Sequence, residues 1–156
     1  MPEKIRLDEA LEGIMDGIVN ALEQNRGPGN DLEEVKTIVC GDRSRPAPQT
    51  PAVWVRALTA SCDHSQRSYA EKWQVEIIIL AIVKNNQPED GYREATSLAA
   101  RARSVVLRDR TLGKRAYVQD VRSGNFEMGG PNLQNESLFA STATIQVHFV
   151  ILENNP

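Results

Sequence analysis

The chain has 156 residues, of which 40% are hydrophobic and 25% charged, and its formal net charge is −3. This length predicts a single domain over residues 1–156, with a core that needs neither disulfides nor a metal. The longest apolar run, residues 77–83, is far shorter than the roughly 20 residues of a membrane-spanning helix. The first residues also lack the pattern of a signal peptide, so we expect neither membrane insertion nor export.

The first predicted element is an amphipathic helix with one acidic face. Gly13 and Gly17 lie on one side of it, and each costs about 1 kcal/mol relative to alanine, so the pair predicts the close approach of another element. A segment rich in glycine at residues 26–30 ends the helix. The apolar positions recur in steps of three and four. They are Ile5, Leu11, Ile14, Met15, Ile18, Val19 and Leu22.

Three strands are predicted next, at residues 35–40, 52–60 and 69–84. A flexible, proline-rich loop at about residues 42–51 separates the first two. The third strand is the strongest, because its alternate residues from Trp73 to Val83 are apolar. Its second half is apolar on both sides, which predicts a central place in the sheet.

The rest of the chain predicts a helix and a hairpin. The helix begins near Pro88 and ends near Arg110, with small apolar residues along its buried side. Strands follow at residues 115–128 and 138–152, and a flexible loop at about residues 124–138 overlaps the end of the first of them.

This order of elements predicts an α+β fold, a mainly antiparallel sheet of four to five strands with two helices packed on one face. Two helices, each about 10 Å wide, cover only one face of four strands spaced about 4.8 Å apart. Ile78, Leu80 and Ile82 reach the other face, so we expect them to form part of a subunit interface.

Few residues resemble a catalytic or metal site. Cys40, Cys62 and His64 lack the spacing of a zinc site, and their pairing as a disulfide stays open. His148 lies in the middle of a strand, where a histidine on the sheet surface is favoured over a catalytic base. We therefore predict no enzyme activity, no catalytic residue, no cofactor and no metal.

The charges are unevenly distributed along the chain. Residues 1–35 carry nine acids against three bases, whereas residues 93–122 carry eight bases against three acids. One hypothesis is that the acidic first helix meets the basic region of a second copy, with Arg101 and Arg103 as candidate contacts. The alternatives are a solvated helix face and contact with the phosphates of passing DNA. The two long loops are the other candidates for binding.

The chain resembles the tail-terminator and minor tail proteins of long-tailed bacteriophages or prophages over nearly its whole length. The resemblance is carried by Pro51-Ala52-Val53-Trp54-Val55, the strand from Trp73 to Val83, Gly91-Tyr92-Arg93-Glu94-Ala95, Leu98-Ala99-Ala100-Arg101 and Leu107-Arg108-Asp109-Arg110-Thr111-Leu112-Gly113.

This resemblance implies a structural protein of the virion tail, assembled in the cytoplasm of a bacterial host. In that family six subunits form a ring that caps the tail tube and joins it to the head-tail connector. The implied partners are the subunit itself, the tail tube protein and the connector, with DNA at most passing through the lumen. The alternatives are another connector or minor tail subunit and, from another class, an intracellular oligomeric binding or regulatory protein.

Overall fold

The computed structural model describes residues 3–41, 49–63, 70–128 and 137–152. All the predicted helices and strands are present there, together with one short strand that was not predicted. In chain order the elements are β1 (Glu3–Lys4), α1 (Leu7–Gln24), β2 (Thr37–Cys40), β3 (Ala52–Cys62), β4 (Glu71–Lys84), α2 (Pro88–Leu107), β5 (Val118–Glu127) and β6 (Leu138–Leu152).

Helix α1 has the amphipathic character that its sequence predicts. Ile14, Ile18 and Leu22 are fully buried, while the acidic residues of the opposite side are exposed. The helix ends shortly before Gly27 and Gly29, whose φ angles of 101° and 82° lie in the left-handed region that glycine adopts without strain.

Helix α2 begins at Pro88, because the fixed φ angle of proline suits the first helical turn. It ends at Leu107, slightly before the predicted end. The carboxylate of Asp109 accepts hydrogen bonds from the backbone N–H groups of Thr111 (3.0 Å) and Gly113 (2.6 Å). These bonds draw the chain into a turn instead of a further helical turn.

The strands form one mixed sheet that is five positions wide. Its order is β1-β6-β4-β3-β2, and β5 pairs with the edge of β6 that β4 leaves open. Strand β1 continues along that same edge beside Ile151 and Leu152, so β1 and β5 share one position. The pairs among β3, β4, β5 and β6 are antiparallel, whereas β1 and β2 each run parallel to their neighbour.

Strand β4 is central, as predicted. It pairs with β6 along its whole length, from Glu71 opposite Ile151 to Lys84 opposite Leu138, and with β3 on its other side. Strand β1 was missed because two residues carry no periodic pattern, and its partner lies at the far end of the chain.

Both helices pack on one face of the sheet. One hydrophobic cluster unites the buried residues of α1 and α2 with alternate positions of the long strands. The strand positions include Val53, Val55, Val75, Ile77, Ile79, Ala143, Ile145, Val147 and Phe149. Helix α2 lies mainly over β4 and β6, and α1 contacts α2, β2 and β3. The predicted α+β fold, mainly antiparallel with two helices on one face, is confirmed.

The predicted close approach at the two helical glycines is also confirmed. A Cβ at Gly13 would fall on the hydroxyl of Tyr117, and a Cβ at Gly17 would lie 2.9 Å from the Cβ of Leu112. The approaching element is the connection between α2 and β5, in which residues 112–114 have φ angles of 50°, 81° and 63°. This turn inserts Leu112, which is 1% exposed, beside α1.

The expectation that the second face of the sheet lacks cover is wrong for part of it. Leu80 and Ile82 are each 4% exposed and belong to a second hydrophobic cluster that contains Trp54 and Ala140. The cluster forms because Trp54 lies directly opposite Leu80 and the small Ala140 directly opposite Ile82. Ile78 is only partly buried, so it alone of the three predicted interface residues keeps an appreciable exposed surface.

The long loops are shorter than predicted where the structure describes them. Strand β5 continues to Glu127, so the loop expected from about residue 124 begins later. Strand β3 likewise continues to Cys62. Residues 42–48, 64–69 and 129–136, which hold most of the predicted loops, lie outside the described residues.

Candidate interaction surfaces

The residues considered for chemistry lie apart from one another. Cys40, at the end of β2, and Cys62, at the end of β3, are both free thiols. Burial raises the pKa of each thiol, and nearby carboxylates, Asp16 for Cys40 and Glu71 for Cys62, raise it further. Among the described residues no group of three or more His, Cys, Asp and Glu side chains is placed to hold a metal, and His64 lies outside them.

His148 lies on the sheet face away from the helices, among polar neighbours. Asp120 of β5 and Gln74 of β4 lie opposite it on either side. Its Nε2 atom is buried and has no hydrogen-bond partner among the residues that the structure describes. Burial lowers the pKa of His148, and the charge of Arg122 lowers it further against the opposing effect of Asp120. The imidazole is therefore favoured in its neutral form.

Arg101, one of the two arginines predicted to contact another copy, is instead bound within its own chain. Its guanidinium lies 2.5 Å from a carboxylate oxygen of Glu34 and donates a hydrogen bond to the carbonyl oxygen of Asp31 at 2.7 Å. Arg108, about two helical turns further along the chain, pairs with the carboxylate of Asp31. Arg101 thus has counter-ions within its own chain, because the loop after α1 brings acids to it, and its contact with another copy stays a prediction.

A second group of charges joins the end of α2 to β5. Arg110 and Arg122 both bind the carboxylate of Asp120, at 3.1 and 2.8 Å. Hydrogen bonds from Arg122 and then Arg110 lower the pKa of Asp120. Arg110 also donates to the backbone carbonyl of Val121 at 3.1 Å. Much of the basic segment that stands out in the sequence is thus neutralised inside the subunit.

Two sets of charges have no counter-ion within the described residues. On α1, Glu12 and Asp16 are exposed and form no ion pair there. On α2, Arg93 is exposed and Arg103 is partly exposed, and neither forms an ion pair or a side-chain hydrogen bond in that part of the chain. Other charges also lack an ion pair among the described residues, including Glu89 and Asp90 on α2 and Lys72 on β4, so these four are only some of the charges available for contacts with other molecules.

An open cleft of about 700 Å³ lies between the start of α2 and the end of β5. Its lining combines two exposed apolar side chains, Tyr92 and Met128, with Arg93, Thr96 and Ser97. The Tyr92 ring is held edge-on against buried Phe139, with ring centroids 4.8 Å apart. Sequence reasoning missed this cleft because its residues come from elements 30 or more positions apart.

No helix of the described residues is long and apolar enough to cross a bilayer. Compared with known proteins, the chain matches no family model and has no significant match among curated proteins.

Proposed function

We propose that this protein is a structural subunit of a phage tail, and specifically a tail terminator whose copies form a six-membered ring. The ring caps the tail tube and offers its other surface to the head-tail connector. The proposal is supported by the sequence resemblance together with the distribution of charge on the folded subunit.

The observation that carries the proposal is that four charges on the two helices have no counter-ion among the described residues. Glu12 and Asp16 lie on α1, whereas Arg93 and Arg103 lie on α2. Contact between the acids of one copy and the arginines of the next is heterologous when each pair of copies makes it once, and isologous when a twofold axis makes it twice; the ring requires the first arrangement. A heterologous contact generates a ring when its rotation closes.

Such a ring works through repeated interfaces instead of a single binding site. Each contact is weak, since exposed ion pairs contribute at most about 1 kcal/mol. Repetition around a ring raises the overall avidity without any new kind of contact. In this proposal the subunit binds the tail tube through the surface beside the cleft, because Tyr92 and Met128 supply exposed apolar area there.

The test is native mass measurement and electron microscopy of the purified chain, followed by charge reversal. Arg103→Glu and Glu12→Arg are each expected to abolish the ring, because each opposes like charges across every contact. Mixing the two variants is expected to restore an even-membered ring, since the reversed residues then face one another at alternate contacts. Lys72→Glu, at an exposed cation on β4, is the matched control and should leave the ring unchanged.

If the mixture does not assemble although each variant is folded, the charge pairing between copies is refuted. A wild-type chain that remains monomeric or dimeric, even with purified tail tubes, would refute the terminator function itself.

The cleft favours a second candidate, an oligomeric binding protein. Arg93, Thr96 and Ser97 converge beside two apolar side chains, a combination typical of sites for small anionic ligands. Tyr92→Ala separates the two functions. It should weaken tube binding but not ring formation in a terminator, whereas a ligand-binding protein would show saturable binding of a small molecule that this variant loses.

A further inference from the structure

Among the described residues, one edge of the sheet has no neighbour along half of a strand. Strand β2 pairs only with the first part of β3, from Ala52 to Val55, although β3 continues to Cys62. On its other side β3 stays paired with β4 through to Cys62. Within the part of the chain that the structure describes, residues 56–62 therefore have a neighbouring strand on one side only.

The backbone groups that face outward along this edge can be identified. The N–H of Gly41 donates to the carbonyl of Val55 on the β2 side, and the N–H of Asp63 donates to Lys72 on the β4 side. The backbone N–H and C=O groups of successive residues point to opposite sides of a strand. Because the N–H of Asp63 points toward β4, the backbone groups of Ser61 also point toward β4. The backbone groups of Ala60 and Cys62 therefore point outward, away from β4. Neither outward residue has another hydrogen-bond partner within the described chain.

The opposite edge of the sheet is protected, whereas this one is not. On β5, Arg110 caps the carbonyl of Val121, and the N–H of Val118 is bound by the carbonyl of Arg115. Two irregularities also interrupt the pairing of β5 with β6. The β3 edge carries instead small residues and Leu58, which is 46% exposed. Natural sheets seldom leave such an edge uncovered.

The open edge is complementary to a second copy of itself. If two copies pair antiparallel with Ala60 opposite Ala60, Thr59 lies opposite Ser61, and two hydroxyl side chains meet. The register of β3 shifts by one residue between Ala57 and Thr59, as in a β-bulge. With this shift, Arg56 of each copy lies opposite Asp63 of the other, at both ends of the contact. A shift in register would separate these opposite charges.

We infer that two copies of this chain pair along residues 56–62 of β3 about a twofold axis at Ala60, joining their sheets into one. The contact is isologous and closed, so it stops at two copies. It uses none of the four charges assigned to the ring, and it goes beyond the proposed function without depending on it.

Ala60→Pro tests the contact by removing the outward N–H at its centre. Proline is tolerated on an edge whose N–H faces away from the ladder, so the pairing with β4 is retained. The matched control is Ala60→Thr, which keeps the N–H and favours a strand. In analytical ultracentrifugation, wild type and Ala60→Thr should dimerise. Ala60→Pro removes two hydrogen bonds, one from each copy, and should raise the dissociation constant at least about tenfold, the equivalent of about 1.4 kcal/mol.

A cross-linking measurement covers the case in which the proline variant does not fold. In a Cys40→Ser, Cys62→Ser background, Ala60→Cys should cross-link between copies, since directly opposite residues have Cα atoms about 5.5 Å apart. Ser123→Cys, on the capped edge of β5, should not. Dimerisation unchanged by Ala60→Pro, a wild-type monomer throughout, or equal cross-linking at residues 60 and 123 overturns the inference. A dimer that never forms a ring upholds it and contradicts only the terminator function.

Discussion

Replacement of Gly91 by alanine is predicted to destabilise the fold, although alanine is normally the better helix residue. Gly91 lies in the first turns of α2 directly above Phe139. A Cβ added there would overlap the ring atoms Cδ2 and Cε2 and lie 2.7 Å from Cγ. Phe139 is 7% exposed and held edge-on by Tyr92, so its ring has little room to move away.

The magnitude follows from two opposing effects. Overpacking of a core costs typically 1–3 kcal/mol, and the overlap with a whole ring belongs at the upper end. The helix preference of alanine over glycine returns about 1 kcal/mol. We therefore expect Gly91→Ala to lower the free energy of unfolding by about 2 kcal/mol, which for a chain of this size lowers Tm by about 4–8 °C.

The assay is thermal and urea unfolding of Gly91→Ala, Phe139→Leu and the double variant. A smaller side chain at residue 139 makes room for the Cβ, so Gly91→Ala should cost at least 1 kcal/mol less in the Phe139→Leu background. Ser104→Ala, at an exposed position of α2, is the control and should be neutral or stabilising by about 0.5 kcal/mol. The reasoning fails if Gly91→Ala is as stable as wild type, or if the two substitutions are additive.

Three further predictions concern charged groups. Arg101→Gln should lower the free energy of unfolding by about 1 kcal/mol because it breaks the pair with Glu34, whereas Arg103→Gln should change it by less than about 0.5 kcal/mol; urea unfolding distinguishes them. Asp109→Ala should cost about 1–2 kcal/mol, since two backbone N–H groups lose a charged acceptor, and this contribution to wild-type stability should fade as pH falls below about 3.8. Because the pKa of His148 is lowered in the folded state, the unfolded chain binds a proton first, and stability should fall as pH drops from about 6.5 through the folded pKa. Two measurements check this prediction: titration of the His148 ring by NMR, and unfolding of His148→Gln, which should lose the pH dependence. A pKa of His148 at or above 6.5 would contradict the prediction.

The sequence was sufficient to place the strands whose apolar residues alternate regularly. The alternation in β4 and β6 places both strands within about two residues, because a buried face imposes a repeat of two. The two glycines of α1 also predicted a close contact, since glycine inside a helix needs a packing reason. Both signals are local, and local signals are visible in one sequence.

The features that were missed depend on register between distant strands. Leu80 is buried in a cluster that includes Trp54, the residue directly opposite it. The counter-ions of Arg101 come from a loop about 70 positions earlier. The open edge of β3 depends on the short length of β2. A periodic pattern within one strand does not indicate which residues of another strand lie beside it. The sequence alone therefore could not predict the burial of Leu80 or the open edge of β3.

The position of β6 has a consequence for biosynthesis. This strand follows all seven other described elements in the sequence, yet it lies between β4 on one side and β1 and β5 on the other. Until residues 138–152 leave the ribosome, β1 and β5 have no partner, and one side of β4 is unpaired. The nascent chain therefore exposes a long apolar strand until β6 has been made, and sequestration by a chaperone would be most useful during that interval.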